Sequence, residues 1–395
     1  MDEQISREQV QEKIWTRDFI LIMLANFFIF LGFQMTLPTI PLFVEHLGGN
    51  DQLIGFVVGI FTFSALLLRP LAGKTLETKG RGFVYLIGLA IFVLSVGSYG
   101  FLTGIVFLFI MRIVQGVGWG FSTTASGTIA TDLIPPSRRG EGMGYFGLSG
   151  NLALAFGPSL GLALTSKLPF SLFFLISAFL GLVALLLSSR IKFKKMEQKP
   201  DKAVAMKRDF YEKSALKPSF LLFFITVTFG GIASFLPLYT AQKQVPGIQW
   251  YFLLYAVALL LTRTFAGQLY DRKGHQAVFL PGTAFILTAM FLLAWLPNST
   301  VLYLAALLYG LGFGTVQPAL QAWAIEKAAT NRKGMANATF FSFFDLGVGV
   351  GAMVFGQIGN LLGYRSIYIA AAFSVLFSML FYIYLLWKDR SAAAA

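Results

Sequence analysis

The chain has 395 residues, of which 56% are hydrophobic and only 12% are charged, and its mean hydropathy is +0.71. Soluble globular proteins are about 25% charged, so this composition excludes a soluble protein with an ordinary surface. The chain has no cysteine and two histidines, which excludes disulfides and thiolate metal sites and argues against imidazole catalysis. We therefore expect no metal, no organic cofactor and no enzyme active site.

Long stretches of the chain lack Asp, Glu, Lys and Arg, among them 19–44, 142–166, 168–189, 218–242 and 276–325. A helix that crosses the hydrocarbon of a membrane needs roughly 20 apolar residues, so these stretches predict membrane-spanning helices. Dividing the chain at clusters of Gly, Pro and Asn predicts twelve such helices: 18–44, 52–72, 82–101, 104–130, 141–164, 169–189, 219–241, 249–270, 276–296, 301–325, 335–360 and 366–387.

Basic residues are distributed unevenly about these helices. Three of the 31 Lys and Arg residues lie in loops on one side of the membrane, and three lie inside predicted helices. All the others lie on the side that holds both termini, which the positive-inside rule places in the cytoplasm. The most basic segment, 190–218, is expected to lie along anionic lipid headgroups rather than to bind nucleic acid. We predict a multi-pass protein of a bacterial plasma membrane.

The two halves of the chain match at a constant offset of 194 residues, which takes Arg69 onto Arg263, Asp132 onto Glu326 and Gly157 onto Gly351. A parallel repeat of this kind predicts two six-helix bundles with a substrate site near the midplane between them. The predicted organisation is a cytoplasmic N-terminus (1–17), a first bundle (18–189), a basic cytoplasmic linker (190–218), a second bundle (219–387) and a cytoplasmic tail (388–395).

Four short segments are similar to motifs of a known family. The segment 263–275 reads RTFAGQLYDRKGH, and its first-half counterpart, 73–81, reads GKTLETKGR. The fourth predicted helix contains RIVQGVG from Arg112, and the fifth contains Gly157-Pro158-Ser-Leu-Gly161. These segments resemble motifs A, B and C of the major facilitator superfamily, and the resemblance extends over the whole chain. It implies the twelve-helix fold, a functional monomer and the drug:proton antiporter branch.

The resemblance also implies a gate at the cytoplasmic face. A short loop with glycines can turn sharply, and its acid can accept hydrogen bonds from the N-terminal amides of a neighbouring helix. The alternative is that these charges only determine topology. The residues to which a gating role is carried over are Arg69, Gly73, Glu77, Arg81, Asp132, Arg263, Gly267, Asp271, Arg272 and Glu326.

Two charged residues are predicted near mid-membrane, Arg112 in the fourth helix and Asp345 in the eleventh. An uncompensated charge at that depth costs about 2.5 kcal/mol or more, so each needs a partner, water or a function. The repeat counterpart of Asp345 is Asn151, which leaves the acid in the second half alone. A low-dielectric site favours the neutral form of a carboxyl group, which suits reversible proton binding. The alternative role for Asp345 is structural, as a hydrogen-bonded residue that packs its helix.

Arg112 stays protonated in proteins, so it can hold a counter-charge or bind an anion but cannot carry the proton. Its helical spacing puts Gln115 and Trp119 on the same face, which we expect to line a central cavity. Polar or aromatic residues on other cavity-facing helices are further candidates, although each amide could instead bond to a neighbouring helix. They are Asn26, Phe30, Gln34, Asn151, Tyr309, Gln317 and Gln321.

Together these features predict a proton-coupled exporter of small amphiphilic compounds that works by rocker-switch alternating access. Its expected partners are the substrate, protons and membrane lipid. Two transport alternatives stay open: a facilitator or importer of a polar metabolite, and a flippase for a lipid-like substrate. A membrane receptor or scaffold is a further alternative, which the absence of an appended signalling domain disfavours.

Overall fold

The structure is a computed structural model that describes residues 13–135, 138–193, 211–326, 328–329 and 333–394. Within these ranges it is all-α, as predicted. The helices are α1 (Arg17–Thr36), α2 (Thr39–His46), α3 (Asp51–Lys79), α4 (Arg81–Ser98), α5 (Ile105–Leu133), α6 (Arg139–Thr165), α7 (Phe170–Ser188), α8 (Leu216–Gln242), α9 (Ile248–Lys273), α10 (Gln276–Ala294), α11 (Ser299–Glu326), α12 (Lys333–Leu362) and α13 (Tyr364–Ala394).

The membrane-spanning character of these helices is confirmed. Among the described residues, eleven helical segments are long and apolar enough to cross a membrane, and α9 adds the shorter apolar stretch Ile248–Thr262. Helices α1 and α2 together occupy the first predicted span, so the second to twelfth predicted spans correspond to α3–α13.

The first predicted helix, 18–44, is wrong as a continuous element because the chain breaks between α1 and α2 at Leu37 and Pro38. Proline has no N–H to donate to the carbonyl four residues earlier, and Pro41 repeats the defect one turn later. The Thr39 hydroxyl compensates in part by donating to the Met35 carbonyl at 3.1 Å. The break leaves α2 as a separate helix that packs against α8.

Two other helices extend beyond their predicted ends. Helix α3 continues to Lys79 rather than stopping near 72, and it ends where Gly80 adopts a left-handed φ of +91°. Helix α13 continues through Ala394, so the predicted tail from 388 is largely helical. The sequence after Lys388 ends in an alanine run, and alanine has the highest intrinsic helix propensity.

The N half (α1–α7) and the C half (α8–α13) meet mainly along two helix pairs, α3 with α12 and α6 with α9. In the first pair the backbones touch, since a Cβ atom on Gly55 would lie 2.5 Å from the Ala352 carbonyl oxygen and 3.0 Å from Met353 Cα. In the second pair, the Ser159 hydroxyl donates to the Gln249 carbonyl at 3.0 Å. The offset of 194 residues takes Gly55 onto Gln249 and Ser159 onto Met353, so both interfaces use the same register.

These contacts lie toward one end of the bundle. Gly55 is in the first turns of α3, Gln249 is the second residue of α9, and Ser159 is near the end of α6. All three positions are at the end opposite the chain termini, which we call the outer end; the end that holds the termini is the inner end. The described halves are therefore closed against each other at the outer end.

Candidate functional site

One salt bridge between the halves lies much deeper than the outer contacts. The guanidinium of Arg69 in α3 donates to the Asp345 carboxylate in α12 at 2.5 Å. The two residues are 276 positions apart in the chain. At 1.5 Å per residue, Asp345 lies about 18 Å from the start of α12 and Arg69 lies about 15 Å from the end of α3, so the pair is well inside the membrane span.

The Arg69–Asp345 pair is only partly enclosed, with side-chain exposures of 24% and 30%. Charged side chains within membrane spans almost always face a protein interior or a water-filled space. The pair combines a titratable acid, a permanent cation and a position on the interface between two bodies. Such an arrangement can convert a change in protonation into a change in the attraction between the halves.

Arg112 lies elsewhere, inside the N half, with 1% of its surface exposed. Its Nε donates to the Val57 carbonyl at 3.0 Å, and its Nη1 donates to Gln115 Oε1 at 2.7 Å. The Tyr99 hydroxyl donates to the same Gln115 oxygen at 2.6 Å. The guanidinium also lies 4.5 Å from the centroid of the Phe61 ring. In this structure Arg112 holds α3 against α5, and its described partners are neutral groups.

Aromatic rings continue from this cluster toward α1. Phe61 stacks on Phe33 with 5.1 Å between centroids, and Phe33 stacks on Trp119 at 4.1 Å. Trp119 also contacts Phe30 at 4.8 Å. The cavity candidates Phe30 and Trp119 therefore form one apolar surface. Arg112 contacts Phe61 at the other end of the stack.

Three of the predicted amide candidates take part in hydrogen bonds that join helices or extend such a bond. Asn26 donates to the Ser149 hydroxyl at 2.9 Å, which joins α1 to α6. Gln317 donates to Gln321 at 3.2 Å, and Gln321 donates to Asn337 at 2.8 Å, which joins α11 to α12. Asn337 had no signal of its own in the sequence, because a lone amide near a helix start is common.

The other cavity candidates have different surroundings. The Tyr309 hydroxyl shares a 2.9 Å hydrogen bond with Thr228 of α8. Gln34 is buried where α1 ends, and a Cβ on Gly157 would collide with its side chain. Asn151 is half-buried in α6. Their contact with substrate stays a prediction.

The predicted gate at the inner end is described in part. Arg81 at the start of α4 forms a salt bridge with Asp132 in α5, both within the N half. In the C half, Tyr270 donates to Glu326 at 2.7 Å. Two further gate candidates lie within helices: a Cβ on Gly73 would meet nothing within 4 Å, and Arg272 is exposed. The side chains of Glu77, Arg263, Gly267 and Asp271 lie outside the described residues.

The predicted motif C segment has a clear packing function. Gly157, Pro158 and Gly161 lie on α6 where it crosses the end of α1. A Cβ on Gly161 would collide with the Met35 backbone, whose Cα would be 3.0 Å away. These glycines therefore let α6 approach the α1–α2 break at backbone contact.

Comparison with known proteins identifies the family. A family model described as Major Facilitator Superfamily matches residues 22–347 and 219–395. The chain belongs to the Major Facilitator Superfamily. It is a multi-pass secondary transporter of the cell membrane that acts on small molecules, and it is not an enzyme.

Several superfamily relatives match over nearly their whole length. The staphylopine export protein of Staphylococcus aureus (strain Mu50) is 25% identical over 354 residues, which covers 86% of this chain and 89% of that protein. The multi-drug resistance efflux pump PmrA of Streptococcus pneumoniae (serotype 4) is 26% identical over 392 residues, with 93% and 95% coverage. A crystal structure of the nucleoside transporter NupG shares the fold at a TM-score of 0.73 and 14% identity, with 93% and 99% coverage.

Proposed function

We propose that this transporter is a proton-coupled exporter of small amphiphilic compounds in which Asp345 binds the coupling proton. The observation that supports the proposal most directly is the Arg69–Asp345 salt bridge between the halves. The export direction is supported by relatives that are named as an export protein and an efflux pump. The termini are taken to be cytoplasmic, as the distribution of basic residues predicts.

In this proposal the charge state of Asp345 changes how strongly the halves attract each other. When the carboxylate is ionised it holds Arg69, and α3 and α12 are joined at mid-membrane. Protonation neutralises the carboxyl group and removes the attraction between opposite charges, because Arg69 stays protonated and then faces a neutral group. The halves can then rock about the central region, which exposes the substrate site to the other side of the membrane.

We assign the role of counter-charge to Arg69 rather than to Arg112. Arg69 touches the acid across the interface, whereas Arg112 is bonded to α3 and α5 within the N half. Arg112 then acts by fixing α3, the helix that carries Arg69. The substrate is proposed to bind between the halves, against the aromatic surface of Phe30 and Trp119 and near the Gln317–Gln321 pair.

The proposal is tested by proton movement in acidified inverted membrane vesicles that contain the protein. Amphiphiles matched in shape but opposite in charge, tetraphenylphosphonium and tetraphenylborate, are compared with a neutral amphiphile. We expect addition of a transported compound to release protons from the wild-type vesicles. Asp345→Asn, which cannot titrate, should abolish this release, and Asp345→Glu, which restores a carboxyl group, should retain part of it.

Two results would contradict the proposal. Proton release that persists in Asp345→Asn would place the proton carrier at another residue. Transport of a compound without any proton movement in the wild type would rule out antiport of that compound and favour a facilitator.

A further inference from the structure

The outer ends of the two halves are joined by a hydrogen bond that neither the motifs nor the coupling pair includes. The Tyr364 hydroxyl, at the start of α13 in the C half, donates to Asp51 Oδ1 at 2.8 Å. Asp51 is the first residue of α3 in the N half, so the bond crosses the interface. We propose that the Asp51–Tyr364 bond is a latch that holds the outer end closed and sets how often the transporter opens outward.

Both partners are held in place by their own half. Tyr364 follows Gly363, the single residue between α12 and α13, which has a φ of +78° and thereby makes the turn tight. The Tyr364 ring lies against Tyr239 of α8 at 6.0 Å between centroids. Asp51 lies in the first turn of α3, where the helix dipole stabilises its negative charge. Neither group has to rearrange to form the bond.

The neighbouring backbones make the latch sensitive to small movements. A Cβ on Gly356 of α12 would lie 2.5 Å from the Asp51 carbonyl oxygen, so α3 and α12 are in direct contact beside the latch. Any tilt that separates the outer ends of these helices must therefore break the Asp51–Tyr364 bond. A hydrogen bond to a charged group contributes more than a neutral one, which makes this step a barrier to opening.

The latch has no counterpart in the repeat. The offset of 194 residues relates Asp51 to Val245 and Tyr364 to Phe170, which are both apolar. At its outer end the α6–α9 interface is instead joined by the Ser159–Gln249 bond, whose acceptor is a backbone carbonyl. The side-chain latch therefore joins α3 to α13 beside the α3–α12 interface, and Tyr364→Phe gives position 364 the residue type of its repeat counterpart, Phe170.

The absence of native cysteine allows opening to be measured with one introduced thiol. Thr62, which is 7% exposed, lies on α3 against Gly349 of α12, further inward than Asp51. A Thr62→Cys reporter should react with a membrane-impermeant maleimide only when the outer ends separate. Labelling is measured without substrate in vesicles of both orientations, so the reactive face is identified directly.

We expect Tyr364→Phe and Asp51→Ala each to raise the labelling rate of the introduced thiol about tenfold from the outer face. The double variant should label no faster than the more reactive single variant, because both changes break one bond. Tyr368→Phe is the matched control: Tyr368 is one turn along α13, also contacts Tyr239, and its buried hydroxyl has no hydrogen-bond partner among the described residues. Its labelling rate should equal that of the reporter alone.

A labelling rate in Tyr364→Phe equal to that of Tyr368→Phe, with both proteins folded by their melting temperatures, would overturn the latch. So would additive effects in the double variant. The inference rests on the alternating access included in the proposed function, but not on its proton coupling. If Asp345→Asn fails to alter proton release while Tyr364→Phe still opens the outer end, the coupling proposal falls and the latch stands.

Discussion

Replacing Arg69 by Asp should abolish transport, and exchanging the two charges in Arg69→Asp/Asp345→Arg should restore part of it. The single variant puts two acids at the place where α3 and α12 are now joined by a salt bridge. A charged group at mid-membrane without a counter-charge costs about 3 kcal/mol, which corresponds to a loss of about 100-fold in any step that needs the pair. Initial transport rates in vesicles of equal protein content measure the effect.

The exchanged variant distinguishes the effect of the contact between the two charges from the effect of each residue alone. It restores an opposite-charge contact across the interface and should transport at least tenfold faster than either single reversal. A double variant no better than the worse single variant would show that Arg69 and Asp345 act independently, and the interface role assigned to the pair would be wrong.

Adding one methyl group to Gly161 should destabilise the protein by about 1–3 kcal/mol, the usual cost of overpacking a tight contact. The new Cβ would collide with the Met35 backbone at the end of α1, and a backbone atom cannot move aside as a flexible side chain can. We expect Gly161→Ala to lower the melting temperature of the purified protein.

Gly144, on the same helix, provides the control for this substitution. A Cβ on Gly144 would meet nothing within 4 Å. An alanine in a helix interior is more stable than glycine by about 1 kcal/mol, so Gly144→Ala should leave the melting temperature unchanged or raise it. If both variants shift the melting temperature in the same direction, the collision of a residue-161 side chain with the end of α1 does not determine the stability of the Gly161→Ala variant.

The sequence was most informative where one physical requirement dominated. Charge-free stretches had to become helices because backbone groups in lipid need internal hydrogen bonds, and most predicted bounds were close to those observed. The break at Pro38 lies inside the charge-free stretch 19–44, so absence of charge alone does not reveal it; the signal in the sequence is the proline pair at 38 and 41. Spacing along one helix was similarly reliable: Gln317 and Gln321, four residues apart, do share a hydrogen bond.

Contacts between the halves could not be predicted in the same way. The repeat relates each residue to its counterpart in the other half, but it does not say which residues meet when the halves dock. In the sequence Arg69 is only the repeat counterpart of Arg263 and a gate candidate, and Asp345 has no visible partner, although the two touch. Tyr364 and Phe61 gave no signal, because a single aromatic residue in a chain with 42 phenylalanines and 14 tyrosines does not stand out.

The most direct test of the account is proton release by the purified protein itself. The compound with the largest transport signal in vesicles is added to detergent-solubilised protein in weakly buffered solution, and a pH indicator reports protons released on binding. We predict release by the wild type, no release by Asp345→Asn, and unchanged release by Asp132→Asn, whose acid pairs with Arg81 within one half. Release of the same size from Asp345→Asn and the wild type would contradict the central claim that Asp345 carries the coupling proton.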